Sequence, residues 1–151
     1  MRFLGEGVTE DWRTTCSHVM GPEVLGSVEY GVNLLECPLV VVLGHDSCGA
    51  IAATRDAVDN GTTGQGYVRD VIERVTPSVL ASHAAGRTQN AEFIADHVRH
   101  TVELLLDRSR PLAEAVEAGR VAVVGLSYRL TAGSAQVVTV RGLDDWPDTA
   151  Y

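Results

Sequence analysis

An apolar run from Pro38 to Gly44 constrains the fold of this chain more than any other feature. Valine fills positions 40–42, and no polar residue alternates with the apolar ones. This composition is typical of a strand in a parallel sheet that is covered on both faces. A second run, Val121–Leu126, has the same character, and a third, Gln136–Val140, follows a turn and is expected to be a neighbouring strand.

Helical periodicity fills the intervals between these runs, with predicted helices over residues 22–35, 48–58, 67–85, 91–108 and 112–118. Pro22 suits a first helical turn, and Gly61 and Gly119 suit helix ends. Pro77 is expected to break or kink the third helix. The order of strand, helices and strand predicts an α/β fold, in which helices pack on a mainly parallel sheet.

Size and charge narrow the class of protein. A chain of 151 residues with 45% hydrophobic residues is long enough for one domain with a sizeable core. Its net charge of −8 argues against nucleic acid or an anionic membrane as a partner. The start of the chain lacks the apolar stretch of a signal peptide, and three cysteines are too few for a disulfide framework. We therefore expect a cytoplasmic protein.

The segment Gly44-His45-Asp46-Ser47-Cys48-Gly49-Ala50 holds the candidate chemistry. It joins the valine-rich strand to a helix, and α/β folds bind ligands at the carboxyl ends of their strands. Imidazole and thiolate are good zinc ligands, and the helix N-terminus favours the thiolate of Cys48. Asp46 or Ser47 could orient one of the ligands. Many isolated His-x-x-Cys pairs bind nothing. The motif by itself therefore allows either a zinc site or a turn that binds no metal.

Several segments together resemble the β-class carbonic anhydrases, most closely their actinobacterial members. These segments are Val24–Val32, Pro38–Val42, Gly44–Ala50, Gly66–Val71, His97–Val98, Thr101–Val102 and Val123–Tyr128. The resemblance covers residues 20–140 at similar spacing. It implies a β-carbonic-anhydrase-like, mainly parallel sheet flanked by helices, and assembly as a homodimer or higher homo-oligomer.

The resemblance also implies a reaction, the reversible hydration of carbon dioxide to bicarbonate and a proton. In this family zinc is held by Cys, His and Cys, and a zinc-bound water supplies the nucleophile. His45 matches the histidine ligand, and Cys48 matches the second cysteine ligand. The other histidines on helices, His83, His97 and His100, are expected to have surface or interface roles.

The upstream Cys-x-Asp-x-Arg motif of the family, which supplies the first cysteine ligand, is not present as such. Residues 9–13 imitate it, but Thr9 stands where the cysteine belongs. The first strands of the family fold are thus missing or degenerate, and the strand at 39–43 should present an open apolar edge. Cys16 or His18 could supply the missing ligand if the N-terminal segment folds back.

We accordingly divide the chain into a degenerate segment at 1–20, a β-carbonic-anhydrase-like domain at 21–142 and a tail at 143–151. Two alternatives to an active enzyme stay open. One is a non-catalytic remnant or scaffold that binds zinc weakly or not at all and associates with an intact paralogue. The other is a reading frame cut by a misplaced start codon or a deletion.

Overall fold

The computed structural model describes residues 21–143. The predicted segment 1–20, with Cys16 and His18, lies outside the described residues, as does the tail from residue 144 onward. The division into domains therefore stays a prediction.

Five helices and three strands make up the described part of the chain. In order they are α1 (Pro22–Asn33), β1 (Leu39–His45), α2 (Gly49–Asn60), α3 (Tyr67–Ala84), α4 (Asn90–Arg108), α5 (Arg110–Glu117), β2 (Ala122–Arg129) and β3 (Ser134–Arg141). Each corresponds to a predicted element, and the boundaries differ by a few residues. The α/β class is confirmed.

The three strands form one sheet in the order β1-β2-β3. β1 and β2 are parallel, with Leu39 beside Ala122 at one end and His45 beside Tyr128 at the other. β3 runs antiparallel to β2 because only a short turn connects them. Within residues 21–143, β1 pairs with β2 alone, and Leu39 and Leu43 are 42% and 45% exposed. The expected apolar edge is therefore present in this part of the chain.

Helix α4 links the two halves of the core. The first cluster lies between the sheet, α1, α4 and α5, and it comprises Val32, Val42, Val98, Val102, Leu105, Leu112, Ala115, Val121 and Val123. The second joins α2, α3 and α4 through Cys48, Ala50, Ile51, Val75, Val79, Phe93 and Ile94. Helix α4 contributes to both clusters. It therefore packs against the sheet and also lies in the cluster that contains Cys48.

Of the two outcomes expected at Pro77, the break is wrong, because α3 continues through this residue, and the kink stays a prediction. A proline inside a helix deprives the carbonyl four residues earlier of its donor. Here that residue is Glu73, which lies on the exposed side of α3. Nearby, the hydroxyls of Thr76 and Ser78 donate to the carbonyls of Ile72 and Val75. Burial of Val75 and Val79 on either side then keeps the helix continuous.

A surface role for His97 is also wrong. Its side chain is 4% exposed, and its Nδ1 lies 2.7 Å from the hydroxyl oxygen of Ser78 across the α3–α4 contact. The position follows from helical spacing, because His97 stands one turn after Phe93 on the apolar face of α4. His97 is therefore a hydrogen-bonded core residue between two helices.

Candidate metal centre

The candidate site is the turn that joins β1 to α2. His45 is the last residue of β1 and is half-buried, whereas Cys48 is 4% exposed and is the N-cap residue of α2. The backbone of Cys48 is extended, so the helix begins at Gly49. Cys48 thus lies at the N-terminus of α2 and, on its buried side, in the apolar cluster shared by α2, α3 and α4.

The turn is anchored to the end of β2 through Asp46. The backbone N–H of Asp46 donates to the carbonyl of Tyr128 at 3.0 Å. The Asp46 carboxylate accepts from the backbone N–H of Leu130 at 3.3 Å and from the hydroxyl of Ser47 at 3.5 Å. These contacts hold the turn itself against the neighbouring strand. The predicted role of Asp46 or Ser47 in orienting a metal ligand stays a prediction.

The end of β1 also packs closely against α4. A Cβ placed on Gly44 would stand 2.6 Å from Val98 Cγ2 and 3.1 Å from Ile94 Cγ2. Gly125, on the adjacent strand, has the same relationship with Val98, at 2.7 Å from its Cγ1. Only glycine permits this approach of sheet and helix. The residue before His45 is therefore fixed in space by the core.

Asn90, which the sequence did not single out for this turn, contacts it from α4, and Arg55 of α2 contacts Asn90. Asn90, the first residue of α4, donates from its Nδ2 to the Asp46 carbonyl at 3.1 Å. Its Oδ1 accepts from the Arg55 guanidinium at 3.4 Å. Arg55 in turn lies over the Phe93 ring, with Cζ 4.2 Å from the ring centroid. A polar residue at a helix start was the only available signal for Asn90.

His45 and Cys48 are ligands of the kind that zinc prefers, but two ligands are fewer than a zinc site needs. Imidazole and thiolate are typical zinc ligands, and zinc sites in proteins have at least three protein ligands. Between residues 21 and 143, no three His, Cys, Asp or Glu side chains are grouped so as to hold a metal ion. His83, His97 and His100 join no such group with His45 and Cys48. A complete shell would need donors from outside this range.

No helix in the described range is both long and apolar enough to cross a membrane.

Comparison with known sequences gives one consistent family. The family model described as carbonic anhydrase matches residues 3–135, a range that begins well before residue 20. The chain is 49% identical over 123 residues to a carbonic anhydrase of Mycolicibacterium smegmatis, covering 82% of this chain and 60% of that protein. It is 49% identical over 121 residues to carbonic anhydrase 2 of Mycobacterium tuberculosis, covering 80% of this chain and 58% of that protein. The chain thus spans about three fifths of the length of these curated relatives.

Solved structures share the fold at low sequence identity. A Coccomyxa β-carbonic anhydrase in complex with acetazolamide has a TM-score of 0.65 at 19% identity, covering 82% of this chain and 56% of the other. A β-carbonic anhydrase of Aspergillus fumigatus has a TM-score of 0.64 at 20% identity, covering 83% of this chain and 57% of the other. One of two tetrameric β-carbonic anhydrases from Sordaria macrospora has a TM-score of 0.62 at 17% identity, covering 78% of this chain and 60% of the other.

Proposed function

Because the chain belongs to the β-class carbonic anhydrase family, we propose that it serves the reversible hydration of carbon dioxide to bicarbonate and a proton, with zinc held at His45 and Cys48. The observation that carries the proposal is the position of these two donors. They flank one tight turn at the carboxyl end of a parallel strand, where α/β folds bind their ligands.

The residues of the turn would have distinct parts in such a site. His45 and Cys48 would be two of the zinc ligands, and Asp46 holds the backbone between them to β2. Zinc bound there would lower the pKa of a coordinated water, the source of the nucleophile in zinc-catalysed hydration. The other protein donors would come from outside residues 21–143. Cys16 and His18 are the candidates within this chain.

Stopped-flow hydration of carbon dioxide tests this function. The full chain is loaded with one equivalent of zinc and compared with His45→Ala prepared in the same way. We expect the wild-type rate to exceed that of the variant by about tenfold or more, since weakening a zinc site typically changes activity on that scale. Equal rates in the two proteins would contradict catalysis at this turn.

The shortage of donors supports a second candidate, a non-catalytic scaffold. A two-donor site binds zinc weakly, and no third donor joins His45 and Cys48 within the described range. Elemental analysis after dialysis discriminates between the candidates. Zinc retained at one equivalent by the wild type and lost by Cys48→Ser favours the enzyme, whereas loss from both favours the scaffold.

We also infer self-association of the chain as a homodimer or higher homo-oligomer. The support is the exposed apolar surface of the described residues: Tyr30 in the last turn of α1 is 54% exposed, Leu34 and Leu35 directly after the helix are 68% and 49% exposed, and the β1 edge is open within residues 21–143. The Sordaria macrospora neighbours are tetrameric. Light scattering coupled to size-exclusion chromatography tests the inference, and a monomeric mass of 16.1 kDa would contradict it.

A cytoplasmic location is part of the same proposal. The sequence has three cysteines, too few for a disulfide framework, and Cys37 is a free thiol, which suits a reducing compartment. Localisation of the tagged full chain by cell fractionation tests this assignment, and recovery outside the cytoplasmic fraction would contradict it.

A further inference from the structure

We propose that Asn90 is a positioning residue for the turn between His45 and Cys48, and that Arg55 orients it. The inference rests on the proposed function, because it concerns the turn that would carry the two zinc ligands. It arises from two contacts of one side chain. Asn90 joins the start of α4 to the Asp46 carbonyl on one side and to the Arg55 guanidinium of α2 on the other.

The chemistry of the two neighbours fixes the orientation of the Asn90 amide. A guanidinium only donates hydrogen bonds, and a backbone carbonyl only accepts them. The oxygen of the amide must therefore face Arg55, and its nitrogen must face Asp46. A residue at this position has to accept on one side and donate on the other. Aspartate can do only the first, and alanine can do neither.

Arg55 is itself held in place by the core. Its guanidinium carbon lies 4.2 Å from the centroid of the Phe93 ring, within the range of a cation–π contact. Phe93 is 1% exposed and belongs to the same apolar cluster as Cys48. The orientation of Asn90 is thus set by a cation resting on a buried ring, and the core that encloses Cys48 also positions the turn.

The contact acts on the middle of the turn. Asp46 is already held to β2 through its N–H and its carboxylate, and Asn90 binds its carbonyl. With these three bonds the peptide groups on both sides of Asp46 are constrained. The spacing between His45 and Cys48 then depends on contacts from β2 and from α4 together.

The test uses the thiol of Cys48 and needs no metal. Site-resolved alkylation followed by mass spectrometry is performed at one pH on the zinc-free full chain, on Asn90→Ala and on Asn90→Asp. We expect Cys48 to react roughly three- to tenfold faster in both variants, the range that loss of one hydrogen bond allows. Cys37 precedes β1 at its opposite end, so its rate is the internal control and should not change.

Asn90→Asp separates positioning from a general structural role. It keeps an acceptor for Arg55 and places a negative charge at a helix N-terminus, where it is favourable, so α4 should remain folded. It cannot donate to the Asp46 carbonyl. A wild-type rate at Cys48 in this variant, or an equal rise at Cys37, would overturn the inference, even if Asn90→Ala fails to fold.

Zinc affinity is measured on the same proteins by competition with a chromogenic chelator, with His45→Ala as the reference. We expect both Asn90 variants to bind zinc several-fold more weakly than the wild type. If the wild type binds no better than His45→Ala, the proposed function fails, and the alkylation rates still decide the role of Asn90. If zinc binding depends on His45 but is unaffected in both Asn90 variants, the positioning role is contradicted.

Discussion

Gly44 lies against Val98 so closely that a Cβ on the glycine would stand 2.6 Å from Val98 Cγ2. Val98 is fully buried in the cluster that joins the sheet to α4. The strand that ends in His45 and the helix that begins at Asn90 therefore meet with no space for another carbon atom.

Gly44→Ala should consequently destabilise the fold. Overpacking of a buried contact costs about 1–3 kcal/mol, because neither the strand nor α4 can move without disturbing the core. Urea denaturation measures the change in the free energy of unfolding. Gly26→Ala in α1 is the matched control, since nothing lies within 4 Å of a Cβ there and alanine is the better helix former. A Gly44→Ala protein as stable as this control would contradict the packing argument.

Ser109 links α1 to α5 and begins the second of these helices. Its hydroxyl donates to the Glu29 carboxylate at 2.6 Å and accepts from the backbone N–H of Leu112 at 3.2 Å. Ser109→Ala removes both bonds, and we expect a loss of about 1–2 kcal/mol in the free energy of unfolding.

The control for this change is Ser27→Ala, because the Ser27 hydroxyl makes only an exposed bond to a carbonyl of its own helix. Such a surface substitution should stay within about 0.5 kcal/mol of the wild type. Equal urea midpoints for Ser109→Ala and Ser27→Ala would show that the α1–α5 link contributes nothing.

Glu92 gives the start of α4 a dependence on pH. The backbone N–H groups of Gln89 and Thr88, in that order of importance, donate to its carboxylate and hold its pKa below the usual glutamate range. Because the pKa is lower in the folded state, the charged form contributes stability above the unfolded pKa of about 4.3. That contribution is lost as the pH falls through the folded pKa.

Comparison of the wild type with Glu92→Gln, whose side chain stays neutral, isolates this effect. The stability difference in urea should be constant from about pH 6 to pH 7 and should shrink below about pH 4. A difference that is the same at acid and neutral pH would contradict the assignment to the Glu92 charge.

Much of the fold could be predicted from the sequence, because most strands and helix ends are marked by residues within the element itself. The valine-rich run at 39–43 and the turn before β3 each identify a strand, and Gly61 and Gly119 mark helix ends with φ of 65° and 66°. The helix break considered at Pro77 does not occur, for a reason that is not local. Burial on both sides of the proline outweighs one lost hydrogen bond, and burial is known only once α3 meets α4.

The candidate site, like the fold, could be predicted from the sequence only in part. His45 and Cys48 are three residues apart, so the sequence alone places them in one turn. The contacts that fix this turn join residues far apart in the chain: Asn90 with Asp46, and Leu130 with Asp46. No periodicity or motif predicts such pairs, because they depend on where α4 and the end of β2 come to lie.

The central claim is that zinc binds between His45 and Cys48, and X-ray absorption at the zinc edge of the metal-loaded full chain tests it most directly. We predict at least one sulfur at about 2.3 Å, with a second if Cys16 also binds, and nitrogen or oxygen at about 2.0–2.1 Å. The number of sulfurs should fall by one in Cys48→Ser and stay unchanged in the control Cys37→Ser. A zinc shell without sulfur in the wild type, or a number of sulfurs that Cys48→Ser leaves unchanged, would contradict the claim.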